Sequence, residues 1–185
     1  MRRPITVLLA LVAVTALAAC GNKEDRVLHG ATEGIYLDLG ALKYQVQISR
    51  LLNPSSPEDR AYLIGLDPSQ RRLPAGQQWF AVFMRVQNED KVAHPVATNY
   101  VITDTQDTKF RPVSLGPENV FAYRGGNVGA HSLIPVPDSP PAEGTIQGSL
   151  LLFRIPVQNF ENRPLELSIA SPDTPGEKAT VDLDV

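Results

Sequence analysis

Trp79-Phe80-Ala81-Val82-Phe83-Met84-Arg85-Val86-Gln87 is the stretch on which the fold turns. Phe80, Val82, Met84 and Val86 recur with a period of two, the spacing of side chains on one face of a strand. Trp79, Ala81 and Phe83 make the opposite face apolar too, so this reads as a central strand covered on both sides near its start. Such a strand needs neighbours, and the flanking sequence supplies them. Leu42, Tyr44, Val46 and Ile48 alternate with Lys43, Gln45, Gln47 and Ser49, as in a half-buried strand. Tyr100-Val101-Ile102-Thr103 and Lys109-Phe110-Arg111 flank Asp104-Thr105-Gln106-Asp107, a hairpin turn. Residues 146–157 form a long apolar run. Leu165, Leu167 and Ile169 alternate with Glu166 and Ser168, and Pro172 to Glu177 is a turn. Ala179, Val181, Leu183 and Val185 then alternate with Thr180, Asp182 and Asp184.

Composition agrees. Sixteen prolines and 13 glycines in 185 residues argue for many turns and against long helices. Only 12 aromatics are present, so Val, Leu and Ile must build most of the core. No helix-period stretch is long enough for a βαβ crossover. About seven short strands between Pro/Gly turns predict an all-β fold, a β-sandwich.

Two intervals, 50–78 and 114–144, are too long for plain turns. In the first, Ser56-Pro57-Glu58-Asp59 combines an N-cap residue, proline at the first helical position and acids in the first turn. It predicts a short helix from about Pro57 to Leu63, stopped by Gly65. The second holds Glu118 to Tyr123 and then Gly125-Gly126-Asn127, where one turn of helix or a short strand is expected within a surface loop.

The first twenty residues bear on location. Arg2 and Arg3 form a positive start, and residues 5–17 are apolar apart from Thr6 and Thr15. That run is too short to span a bilayer and suits a secretory signal. Pro4-Ile5-Thr6 continues a twin-arginine signal poorly, which favours general secretion. Leu17-Ala18-Ala19-Cys20-Gly21 resembles the lipobox of bacterial lipoproteins, and the resemblance implies that Cys20 carries lipid after cleavage of residues 1–19. Cys20 is the sole cysteine, so no intramolecular disulfide can form, and lipidation would consume a thiol that is otherwise a liability in an oxidising space. A diacylglyceryl group supplies the two acyl chains that stable anchoring requires. Cleavage removes Arg2 and Arg3, leaving 15 Lys+Arg against 20 acids, a net charge of −5. An acidic body gains nothing from an anionic leaflet, and no basic run exceeds Arg71-Arg72, so no nucleic-acid partner is expected. Residues 21–34 are polar and hold three glycines, and they read as a flexible tether spanning roughly 20 Å as a coil. The expected organisation is a signal peptide over 1–19, a lipidated Cys20 with its tether to residue 34, and one β-sandwich domain over 35–185.

Beyond the lipobox, the order of elements is similar to the Ig-like domain of unknown function found in lipoproteins of Gram-positive bacteria, especially actinobacteria. The matching pieces are Leu42-Lys43-Tyr44-Gln45-Val46, Pro74-Ala75-Gly76 leading into Trp79 to Asn88, Asp104-Thr105 with Phe110, and Gly148 to Pro156. The resemblance implies an Ig-like sandwich over about residues 35–170 and brings no catalytic or ligand-binding residues with it. The intervals 50–78 and 114–144 depart from the typical domain, and individual function is expected there.

Chemistry is sparse. There is no G-x-S-x-G and no thiol for catalysis, and His29, His94 and His131 lie far apart in sequence, so no enzyme is expected. No cofactor is implied. Met84 falls in the core pattern, and the histidines are not grouped as metal ligands. Asp104 and Asp107 lack the dense spacing of a calcium loop and read as turn corners. Glu89-Asp90-Lys91 reads as a solvated connection, and Trp79 as core. Phe121, Tyr123 and Arg124 have the composition of a contact surface on the 114–144 loop, or else fold back to plug the end of the sandwich. Two functions are compatible with this reading. One is a non-catalytic binding or structural module on the extracytoplasmic face of the cell membrane, held through Cys20 and open to an envelope protein partner. The other is an envelope carrier of a small ligand or metal, with a pocket under the 114–144 loop using His131 or Tyr123. Clustering of His94 with His131 would favour the carrier.

Overall fold

The structure, a computed structural model, describes residues 26–184. It is an all-β sandwich. The strands are β1 (His29–Gly30), β2 (Leu37–Leu39), β3 (Leu42–Leu52), β4 (Gln77–Gln87), β5 (His94–Pro95) and β6 (Tyr100–Thr103). They continue with β7 (Lys109–Phe110), β8 (Asn127–Val128), β9 (Leu133–Ile134), β10 (Ser149–Pro156), β11 (Leu165–Ala170) and β12 (Lys178–Leu183). Two short helices, α1 (Pro57–Tyr62) and α2 (Pro140–Glu143), and a 3-10 turn (Val157–Glu161) lie between strands. One sheet runs β1-β12-β11-β6-β7 and the other β10-β4-β3-β2, with β9 extending the pairing along β4. Strands β5 and β8 form a small ladder of their own. All pairings within the sheets are antiparallel except β1 with β12.

The seven strands expected from alternation correspond to β3, β4, β6, β7, β10, β11 and β12, and the others are short additions between them. Leu42, Tyr44, Val46, Phe80, Val82, Met84 and Val86 of one sheet meet Tyr100, Ile102, Leu165, Leu167, Ile169, Val181 and Leu183 of the other, all buried. This is the interior that period-two patterning produces when two faces close on each other.

One alternation breaks, and the break has consequences. Val46 pairs with Met84 but Ile48 with Phe83, a bulge that puts Gln47 out of register. A one-residue slip sends every later side chain to the opposite face. Ile48, expected inside, is therefore 38% exposed, and Leu52 turns to the outer face beside Trp79. Arg50 turns outward with them.

That outer face is covered too. Trp79, Ala81 and Phe83 of β4 and Leu150 and Leu152 of β10 pack against Tyr62, Leu66, Leu115 and Ala122. The covering residues come from the two long intervals, which together form a third layer over one sheet. Helix α1 matches its expected start at Pro57 and ends at Tyr62, with Gly65 at φ +81° beyond it. Arg50, redirected by the bulge, pairs with the buried carboxylate of Asp59 in α1, which also accepts from the Asn53 N–H at 2.7 Å. Burial pushes the Asp59 carboxyl up, but Arg50 and the Asn53 amide outweigh it and hold it below its ordinary value. The Tyr62 ring stands edge-on to Phe83 at 5.0 Å and to Phe121 at 4.9 Å, joining sheet, helix and the second interval.

Residues 26–34 correct the expected tether. They are built into the sandwich. β1 pairs with β12, Asp38 N–H donates to the Val27 carbonyl at 2.7 Å, and Arg26 pairs with Glu177 at 2.5 Å. Glu33 accepts from the Ser49 and Asp184 N–H groups. The polar composition that suggested a leash serves an edge, where side chains face water and the backbone bonds to strands. The signal peptide, Cys20 and residues 21–25 lie outside the described residues.

Candidate functional site

A cleft of about 430 Å³ opens along one edge of the sandwich. Residues 98–100 leading into β6 form one wall, residues 111–115 after β7 another, and residues 122–125 a third, with Leu150–Leu152 of β10 as floor. Each wall has a local cause. Residues 121–123 bond to the outer edge of β10: the Leu150 N–H donates to the Phe121 carbonyl at 2.7 Å, and the Tyr123 N–H donates to the Leu150 carbonyl at 2.8 Å. The Val113 N–H donates to the Leu152 carbonyl at 2.7 Å. The loops thus pair with the edge of β10 at both ends and leave the cleft between them.

Of the expected contact residues, Tyr123 and Arg124 line the cleft and Phe121 lies next to it; Phe121 and Tyr123 are half-buried against the fold, and the exposed Arg124 is bonded to loop backbone. Phe121 is half-buried against Tyr62. The Tyr123 hydroxyl donates to the Ala97 carbonyl at 3.1 Å, and its ring lies edge-on to Tyr100 at 5.3 Å. Burial holds the Tyr123 phenol well above its usual value. Arg124 donates through Nη1 to the Leu115 carbonyl at 2.8 Å, and through Nη2 to the Gly116 and Asn119 carbonyls at 2.6 and 3.2 Å. These are the contacts of a plug at the sandwich edge rather than of an open patch. Tyr123 and Arg124 still form part of the cleft wall.

Sequence reasoning missed Arg111, Asn99 and the core tyrosines behind them. Arg111 is exposed at the cleft, and its Nη1 donates to Asn99 Oδ1 at 3.0 Å. The Tyr44 hydroxyl accepts from the Ala97 N–H at 2.8 Å, and Tyr100, also in the cleft wall, is buried with its side chain against Tyr123. Neither role has a local signature, because both depend on where β6 lies against β10.

The alternative pocket combining His131 with Tyr123 is not formed, since the two line different cavities. His131 lines a separate cavity with Leu133, Ile134 and Val136, away from Tyr123. His94 and His131 do approach one residue: His94 Nε2 lies 2.9 Å from the Asp90 carboxylate, and the His131 N–H donates to the Asp90 carbonyl at 3.0 Å. Among the described residues, no three His, Cys, Asp or Glu side chains are grouped as a metal site. Glu89, Asp90 and Lys91 are exposed, as expected, and Trp79 is buried under α1. Asp104 is a turn corner whose carboxylate accepts from Gln106 and Thr108 N–H and from the amides of Asn159 and Asn162. No helix among the described residues is long and apolar enough to cross a membrane.

No family model and no curated protein matches the chain. Among solved structures it is similar to ycdA of Bacillus subtilis, a candidate lipoprotein, at 14% identity and TM-score 0.49 over 80% of this chain. It spans only 38% of that protein. It is also similar to the yjhA protein of the same organism, at 10% identity and TM-score 0.47 over 83% of this chain and 99% of that one. An uncharacterised β-sandwich protein of Clostridium difficile matches at 11% identity and TM-score 0.46, over 88% and 98% of the two chains. At these scores the likeness is one of general shape, and nothing about function follows from it.

Proposed function

We propose that the protein is a lipid-anchored, extracytoplasmic binding module without catalytic chemistry, and that the edge cleft is its binding site. The observation that carries this reading is the cleft itself. Two of its three wall segments are held by hydrogen bonds to β10, Arg124 ties the loop between them, and the Asn99 carbonyl of the third accepts from the Ala170 N–H of β11; the cleft volume falls in the range of small-molecule sites. The cleft is lined by parts of the second interval that are fixed by hydrogen bonds, which favours a small ligand seated there. A metal carrier draws no support from the arrangement of His131 and Tyr123.

The anchor gives the module its place. With residues 26–34 in the fold, five residues separate Cys20 from Arg26, so the domain starts within roughly 20 Å of the lipid. Two experiments test the proposal. Cys20→Ala should release the protein from the membrane fraction after a high-salt wash, and retention would defeat the anchoring half. A photo-crosslinker placed at Ser114, in the cleft wall, should capture a recurring adduct in cells that the same group at the exposed Gln106 does not. Identical adducts from both positions would defeat the binding half.

A further inference from the structure

The cleft carries charge of one sign. Arg111 and Arg124 line it, and no Asp or Glu does. The ion pairs among the described residues involve Arg26, Lys43, Arg50 and His94, and neither cleft arginine takes part in one. In a chain with a net charge of −3, the cleft brings two guanidinium groups and no carboxylate to one wall, a local excess of positive charge.

The two arginines are spent differently. Arg124 is committed to three backbone carbonyls and holds the loop. Arg111 makes one hydrogen bond, to Asn99, which anchors the side chain at the cleft wall and leaves most of its N–H donors uncommitted. Beside these charges lies apolar surface from Pro112, Val113 and Tyr123, which are partly exposed in the cleft wall.

The geometry points to a small amphiphilic oxyanion as the ligand of this cleft, with its carboxylate or phosphate head on Arg111 and its hydrocarbon part against Pro112, Val113 and the Tyr123 ring. A guanidinium fork matches either head group in bidentate fashion. Arg124 adds positive potential without giving up its carbonyls. The inference rests on the reading of the cleft as a binding site.

The test uses residues 20–185 carrying Cys20→Ala, with octanoate, octyl phosphate and octanol as probes, read by calorimetry and by backbone amide shifts. Octanoate or octyl phosphate should shift Ser114, Gly125 and Leu152, and whichever binds tighter assigns the head group. Octanol, which lacks the charge, should bind at least tenfold more weakly. Arg111→Gln should weaken the anion at least tenfold with an unchanged melting temperature, and Arg111→Lys should recover part of the loss. Equal binding of octanol, unaltered binding by Arg111→Gln and Arg111→Lys, or no shift with either anion would each overturn the assignment. Should it fall while the Ser114 crosslink persists, the binding reading stands with a different ligand. Loss of both removes that reading as well.

Discussion

Three buried asparagines do at residue scale what no periodicity reveals. Asn88 Nδ2 donates to the Val92, Val128 and Gly129 carbonyls and ties the turn after β4 to the segment that follows β8. Asn119 Nδ2 donates to the Tyr62 and Ile64 carbonyls at 2.9 and 2.7 Å and closes the end of α1. Asn159 donates to Asp104 at 2.7 Å and fixes the 3-10 turn to the β6–β7 hairpin. At the first two places a side-chain amide satisfies backbone carbonyls that burial would otherwise leave bare, at about 1–3 kcal/mol each, and at the third it satisfies a buried carboxylate. Asp104 gathers the most donors. Burial raises its carboxyl, but the Asn159 and Asn162 amides and the Thr108 and Gln106 N–H groups outweigh that and hold it well below the usual carboxylate range. A carboxyl depressed in the folded state adds stability that is present above its unfolded value, near 3.9, and fades as pH falls through the lower folded value. Asp104→Asn should therefore lower stability at pH 7, and the gap to wild type should narrow between pH 4 and pH 2. Urea melts across that range check this, and a gap that stays constant would mean the carboxylate charge is not what the turn uses.

At the scale of the element, the covering layer over Trp79 depends on one close approach. The Gly116 N–H donates to the Gly65 carbonyl at 2.7 Å, and a Cβ on Gly65 would lie 2.8 Å from the Gly116 nitrogen. Gly65 also sits at φ +81°, which disfavours any side chain. Gly65→Ala should cost about 1–3 kcal/mol and separate the two intervals. Trp79 is the sole tryptophan and is buried beneath this layer, so its emission reports the event directly. A lowered melting temperature with a red-shifted emission is expected, and unchanged emission would show that the layer tolerates the substitution. The helix start at Pro57 was legible because capping and proline signals are local. The partner of Asp59 was not, because Arg50 reaches it only after the bulge at Gln47 reverses the face of β3.

For the whole molecule, the decisive question is where the domain begins. Composition places the boundary near residue 35, and the structure places it at or before Arg26. Removing residues 26–34 would strip β1 from β12 and take away the Glu33 carboxylate that serves Ser49 and Asp184. A chain starting at Ile35 should be less stable than one starting at Arg26 by about 2 kcal/mol or more, from several hydrogen bonds at about 1 kcal/mol each. Equal thermal melts would restore the longer tether and move the domain further from the lipid.

What the sequence alone determined is the all-β class, the position of each long strand, the hairpin at Asp104–Asp107 and the start of α1. Strand alternation, turn residues and helix caps act over a few residues, so they can be read from neighbours in the chain. Tertiary structure decided the rest. The reversal of face in β3, the inward packing of Phe121 and Tyr123, the uptake of residues 26–34 and the meeting of Arg111 with Arg124 at one cleft all depend on contacts between segments far apart in sequence. Polar and aromatic side chains carry no mark of whether they will face water or another segment, because that is settled by which edges and faces remain uncovered once the two sheets close.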